Sequence, residues 1–314
     1  MRPAPPDDGR VRTVFLGSGT FAVPALRQVA TNPLLHIVCV VTAVPRPVGR
    51  RQVFTATPVD GAARELGIEP VFTPPRLRHP DAIETILALR PALAILADYG
   101  QIVPPALLDL PHGALNLHPS ALPRFRGASP IPATILAGDR ETAVTLMRMD
   151  EGLDTGPIVA RARIPLDGTE TAPDLEARLA AAGADLLVAS LPGWLDGSLG
   201  AVPQSGDGVV MTRPLRREDG RLDPDRTAAE LERAVRAYAP WPGTFLELGG
   251  DRLVVNEATV APSEPGDEPG SLVVAGDTPA LATASGRLLL ERVTPAGRRA
   301  MTGADFLRGR AQAR

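Results

Sequence analysis

Apolar and polar positions alternate between strand and helix spacing through the first two hundred residues. Val11–Leu16 is a short apolar strand pattern that runs into Gly17-Ser18-Gly19. Ala22–Ala30 has helical spacing, and Leu35–Thr42 reads as a second buried strand. Helical patterns return at Asp60–Leu66 and Ala82–Leu89, and strand patterns at Leu93–Ala97 and Ala114–Leu117. This order predicts a parallel, twisted α/β sheet with right-handed crossovers. A long Ala- and Leu-rich helix over Asp174–Trp194 is expected to cover it. Residues 43–58, rich in Pro and Arg, read as a loop, and residues 1 to 10 as a loose tail.

The pattern changes near residue 196, where Gly, Pro and Ser crowd a turn-rich stretch. We expect a catalytic domain over 11–195, a linker over 196–209 and a second domain over 210–314. The second carries one helical run, Ala228–Ala237. Strand-like runs follow at Thr244–Leu248, Leu253–Glu257, Ser271–Val274 and Arg287–Val293. Short strands punctuated by Gly and Pro predict a small β-barrel of the OB type.

Composition narrows the chemistry. The hydrophobic share of 44% supports a full core, and a net charge of -3 demands no polyanionic partner by itself. All 33 basic residues are Arg. Without lysine there is no Schiff-base nucleophile and no P-loop lysine. The single cysteine, Cys39, excludes an internal disulfide and reads as a buried strand thiol rather than a nucleophile. No pair among His36, His79, His112 and His118 has zinc-ligand spacing, so no metal is expected. The acidic N-terminus lacks an apolar signal core, and no run reaches membrane-spanning length. A cytoplasmic protein without a membrane partner is expected.

Gly17-x-Gly19 after a strand matches a loose dinucleotide fingerprint. No acid lies between Val11 and Val59 to meet a ribose, which argues against a nicotinamide cofactor, although Arg46 or Arg50 could meet a 2′-phosphate. Ser120 and Ser129 lack a nucleophile elbow. The informative segment is N-L-H-P-S-A-L-P-R-F-R-G at 116–127, followed by D-E-G-L-D-T-G-P at 150–157. Asn116 and His118, two residues apart on a strand, share a face. Asp154 sits in a Gly-flanked turn after a second apolar segment, Ala143–Met147. Singly, His118 reads as a core histidine and Asp154 as a turn residue. Together, an amide donor, an imidazole and a carboxylate suit attack on a carbonyl carbon with an oxyanion to stabilise.

These segments resemble the formyltransferases that use 10-formyltetrahydrofolate, and most closely the branch acting on methionyl-tRNA. The likeness extends through V-F-L-G-S-G-T-F-A-V-P-A-L at 14–26, R-P-V-G-R-R at 46–51, Y-G-Q-I-V-P at 99–104, R-A-Y-A-P-W-P-G at 236–243 and V-T-P-A-G-R-R-A-M-T at 293–302. It implies formyl transfer from 10-formyltetrahydrofolate to the α-amino group of initiator methionyl-tRNA, without a metal. It implies catalytic roles for Asn116, His118 and Asp154. Ser120, Ala121, Leu122 and Pro123 would line the folate site, with Tyr99, Gly100, Gln101 and Val103 near the pterin beside the turn Asp150–Leu153. On the acceptor side it implies Phe21 near the methionine, a clamp from Arg46, Arg50 and Arg51, and tRNA contacts from Arg213, Arg298 and Arg299. A monomer is expected.

Two positions depart from the family pattern: Gly19 within G-S-G-T-F-A, where G-T-P-x-F-A is usual, and Ala121, where the usual run is S-L-L-P. Residues 287–314 hold seven Arg against Glu291 and Asp305, a surplus of 7 − 2 = +5, and Arg213, Arg216, Arg217 and Arg221 form a second basic cluster. A solubilising tail is the plainer reading of any one of them. Formylation of a sugar-nucleotide amine is the alternative within the family. An NADP-dependent oxidoreductase and a non-catalytic RNA-binding protein are the alternatives outside it.

Overall fold

Buried apolar runs make the strands of the larger sheet. In the computed structural model, which describes residues 9–48 and 53–311, the chain begins with β1 (Val11–Gly17), α1 (Ala22–Thr31) and β2 (Leu35–Val41). There follow a short pair, β3 (Arg46–Val48) and β4 (Val53–Thr55), then α2 (Pro58–Glu65), β5 (Val71–Phe72), α3 (Pro80–Leu87) and β6 (Leu93–Ala97). Next come α4 (Pro105–Leu108), β7 (Ala114–His118), β8 (Arg126–Gly127), α5 (Pro130–Ala137), β9 (Glu141–Arg148), β10 (Ile158–Pro165) and α6 (Ala172–Asp196).

Seven strands form one sheet in the order β10-β9-β7-β6-β1-β2-β5. β5, β2, β1, β6 and β7 run parallel, and all five residues of β6 are buried, as expected of a parallel strand covered on both faces. The expected parallel sheet carries an antiparallel edge, where β9 pairs antiparallel with β7 and β10 antiparallel with β9. Residues 43–58 are not all loop either, since β3 and β4 pair antiparallel. α2 starts where the Thr57 side chain accepts the Asp60 N–H at 3.0 Å ahead of Pro58. Gly183 lets α6 approach the sheet: a Cβ there would meet Val144 at 3.0 Å and Leu117 at 3.6 Å. Cys39 is fully buried in β2, and burial pushes its thiol up to about 12, which leaves it inert.

The chain divides into two compact units. One holds the residues up to 130 with 141–165 and 176–212; the other holds 131–140, 166–175 and the residues from 213 on. Within the first, Val202 exchanges two 2.8 Å backbone hydrogen bonds with Ile158, so the turn-rich stretch is tied to the sheet edge. β11 (Met211–Thr212) pairs with β8.

In the second unit, α7 (Ala228–Ala237) opens with a capping box between Thr227 and Glu230. The strands are β12 (Thr244–Leu248), β13 (Asp251–Ala261), β14 (Leu272–Ala275), β15 (Thr278–Ala282), β16 (Arg287–Pro295) and β17 (Met301–Thr302), before α8 (Gly303–Ala311). Their antiparallel path, β12-β13-β16-β15-β14 with β17 on β16, is a curled half-barrel. Leu231 and Val235 of α7 pack with Leu253, Val255, Leu288 and Leu290 of the sheet. No helix among the described residues is long and apolar enough to cross a membrane.

Candidate active site

β7 ends the site's framework. Asn116 pairs in register with Leu96 of β6 and Met147 of β9, and His118 with Thr145. Asn116 is half-buried, and its carboxamide makes no hydrogen bond among the described residues. His118 is only 4% exposed. Its Nε2 lies 2.9 Å from the carbonyl oxygen of Phe125. A carbonyl only accepts, so Nε2 carries the proton and Nδ1 is the nitrogen left for chemistry. Nδ1 faces Asp154 Oδ2 at 3.6 Å. The same Oδ2 accepts the backbone N–H of Gly127 at 2.7 Å. Asp154 sits at φ 54°, a left-handed conformation that Asp tolerates better than most residues.

Burial is the largest influence on His118 and holds its pKa below the ordinary value. The Asp154 charge and the Phe125 carbonyl push the other way and do not overcome it. Asp154 thus favours the charged imidazole, but burial outweighs it and the neutral form is the favoured resting state.

The turn after β7 is held from several sides. Ser120 Oγ donates to the Arg124 carbonyl at 2.6 Å, and Thr145 Oγ1 donates to the Ser120 carbonyl at 2.6 Å. Arg161 donates to the Leu122 carbonyl. Ser120 and Leu122 are interior, so the surface this turn offers belongs to Ala121 and Pro123. In the neighbouring loop, Tyr99 and Val103 are buried and Gly100 takes φ 74°. The Tyr99 hydroxyl is buried without a hydrogen-bond partner among the described residues. Gln101 accepts the Leu77 N–H at 2.7 Å and donates to the Pro74 carbonyl at 3.2 Å, so both ends of its amide hold the chain. Ile102 and Leu153 are 66% and 60% exposed, unusual for large apolar side chains and consistent with a contact surface. A cavity of about 290 Å³ opens beside the turn at Asp150–Leu153, lined by Leu108, Arg148, Met149, Asp150 and Glu151.

The acceptor-side residues fall in both units. Phe21 is buried at the start of α1, and Arg46 lies exposed on β3. Arg50 and Arg51 fall outside the described residues. Arg213 donates to both oxygens of Asp219, at 2.8 and 2.6 Å, so its guanidinium is already paired. Arg298 and Arg299 are exposed in the turn between β16 and β17. Among the described residues no three His, Cys, Asp or Glu side chains gather as a metal site would require.

A family model described as "Formyl transferase" matches residues 11–191, and one described as "Formyl transferase, C-terminal domain" matches residues 214–311. The chain belongs to the formyl transferase family. It is 43% identical to the "Methionyl-tRNA formyltransferase" of Myxococcus xanthus (strain DK1622) over 302 residues, covering 96% of this chain and 95% of the relative. It is 45% identical to the protein of the same name from Halorhodospira halophila (strain DSM 244 / SL1) over 304 residues, covering 95% and 96%. Among solved structures, an N-formyltransferase from Helicobacter canadensis in complex with folinic acid and dTDP-3-aminofucose shares the fold. Its TM-score is 0.64 at 16% identity, over 89% of this chain and 98% of that one. The methionyl-tRNA formyltransferase from Clostridium thermocellum shares the fold with a TM-score of 0.52 at 16% identity, over 82% and 95%.

This formyl transferase uses groups that residue patterns did not reveal. The Gly127 N–H and the Phe125 carbonyl, both backbone, orient Asp154 and His118. Gln204 Nε2 donates to the carbonyls of Asp154 at 2.8 Å and Gly156 at 2.7 Å, while its Oε1 accepts from Arg126 at 3.1 and 2.7 Å. It braces the Asp154 turn from a stretch that reads as linker.

Proposed function

We propose that the chain transfers the formyl group of 10-formyltetrahydrofolate to the α-amino group of initiator methionyl-tRNA, giving N-formylmethionyl-tRNA. The carrying observation is His118 Nδ1 facing Asp154 at 3.6 Å, beside an uncommitted Asn116 carboxamide. The full-length likeness to proteins named for that reaction supports the acceptor.

The chemistry follows from the tautomer. A neutral amine attacks the formyl carbon, and the Asn116 carboxamide donates a hydrogen bond to the oxyanion. Neutral His118 accepts at Nδ1 the proton that the attacking nitrogen loses, and Asp154 stabilises the resulting imidazolium. The imidazolium then gives the proton to the departing folate nitrogen as the old C–N bond breaks. One C–N bond forms, one breaks, and one proton moves from acceptor to leaving group. Half-buried Ala121 and Pro123 and exposed Ile102 and Leu153 offer apolar surface suited to the face of a heterocycle.

In this reading residues 11–195 are the catalytic domain and 210–314 a tRNA-binding domain, joined by 196–209. The enzyme acts as a cytoplasmic monomer. Exposed Arg298 and Arg299 contact RNA phosphates. Purified protein with 10-formyltetrahydrofolate should formylate initiator Met-tRNA well, elongator Met-tRNA poorly and a dTDP-amino sugar not at all. Preference for the sugar nucleotide would reverse the choice of acceptor.

A further inference from the structure

The half-barrel unit has a second cavity, of about 250 Å³, bordered by Arg217, Pro242, Phe245, Arg252 and Val254. We propose that it receives one unpaired nucleotide of the RNA acceptor, with the base stacked on the Arg252 guanidinium that covers Phe245 and the phosphate held by the N–H edges of Arg217 and Arg252. This inference rests on the tRNA reading above and adds to it a defined recognition pocket.

The charges around the cavity are unequal in kind. Arg213 is paired with Asp219 at 2.6 Å and Arg221 with Glu247 at 3.3 Å. Arg217 and Arg252, the two that line the cavity, are exposed and have no carboxylate partner among the described residues. Uncompensated guanidinium groups on a concave surface suit a bidentate oxyanion such as a phosphate. Glu247 is the nearest acid in register, opposite Arg252, and its carboxylate is engaged by Arg221.

The aromatic groups are arranged for stacking. Phe245 is 6% exposed, and the Arg252 guanidinium lies 4.1 Å from its ring centroid. The guanidinium therefore covers the ring, and Arg252 is the exposed member of the pair. Trp241 stands 55% exposed between Pro240 and Pro242, a large aromatic surface on a turn with little backbone freedom. Planar cations and aromatic faces next to free positive charge are the elements of single-stranded nucleic-acid sites. A phosphoserine or phosphothreonine peptide has no ring to place on the stacking faces.

The test uses the full-length enzyme with Arg217→Ala, Arg252→Ala, their double variant and Trp241→Phe. Expected is a rise of about tenfold or more in KM for Met-tRNA in the double variant, with kcat at saturating tRNA unchanged. The slope of log affinity against log salt should fall by about 0.7–0.9 per lost phosphate contact. A short single-stranded oligoribonucleotide should quench Trp fluorescence in the wild type and not in Trp241→Phe, the remaining signal being Trp194. Unchanged KM and salt slope in all variants would overturn the pocket even if the enzyme formylates Met-tRNA. Quenching by a free sugar nucleotide but not by RNA would also overturn it. If the wild type fails to formylate Met-tRNA while the oligonucleotide quench persists, the acceptor reading falls and the pocket stands.

Discussion

Asp154 Oδ2 holds two positions at once, 3.6 Å from His118 Nδ1 and 2.7 Å from the Gly127 N–H. The backbone donor fixes the carboxylate so that its charge faces the one ring nitrogen that can take up a proton. In Asp154→Asn the amide can keep the Gly127 contact but cannot stabilise an imidazolium. The expected result is a fall in kcat of about 10²–10⁴-fold with little change in KM for the folate. Steady-state kinetics at saturating tRNA checks it, and an unchanged kcat removes Asp154 from proton transfer.

His118 is held below its ordinary pKa by burial. Its neutral form is favoured in the folded chain, so this group contributes stability above the unfolded value of about 6.5. That stability is lost as pH falls from there toward the lowered folded pKa. The acid limb of kcat/KM should accordingly lie below pH 6.5. NMR titration should place His118 below 6.5, and it should move lower still in Asp154→Asn, which removes a raising influence. An upward or absent movement would contradict the pairing.

The legible parts of the fold were those with one clear period. β6, with five apolar residues in a row, and α7, with a capping box and an apolar stripe, fell at their expected positions. β10 alternates apolar residues with Arg161 and Arg163, the signature of a half-exposed antiparallel edge, but the alternation is short and follows directly on the Asp154 turn. β15 contains Pro279 and α8 contains Gly309, so each carries a residue that argues against its own element. At the site, the i, i+2 spacing of Asn116 and His118 was readable because strand geometry turns spacing into a shared face. Gly127 and Phe125 act through backbone atoms, which have no residue-type signature. Gln204 lies 78 residues from Arg126 and 50 from Asp154, a relation that only the folded chain creates.

Gln204 offers a test of positioning without contact to the reacting atoms. Gln204→Ala removes donors to the Asp154 and Gly156 carbonyls and the acceptor for Arg126. The Asp154 turn, already at a left-handed φ, loses its brace. A drop of about tenfold in kcat with KM near wild type is expected, with a stability loss of about 1–3 kcal/mol. A stability loss with kcat intact would make Gln204 structural only.

Gly19 and Asp98 meet at the turn where the chain departs from its family pattern. A Cβ at position 19 would lie 1.8 Å from Asp98 Oδ2, while Ser18 donates its N–H to the Asp98 carbonyl at 2.9 Å. The turn after β1 and the end of β6 therefore share one space, and the Asp98 carboxylate fills it. Gly19→Ala should cost about 1–3 kcal/mol, because the carboxylate must move. The obstacle is the end of a side chain, so it can be removed: Asp98→Ala leaves room for the new methyl group. The double variant should lose about 0.5–3 kcal/mol less than the sum of the two singles. Urea unfolding of the four proteins closes this cycle, and additive losses would mean that something other than Asp98 keeps position 19 a glycine.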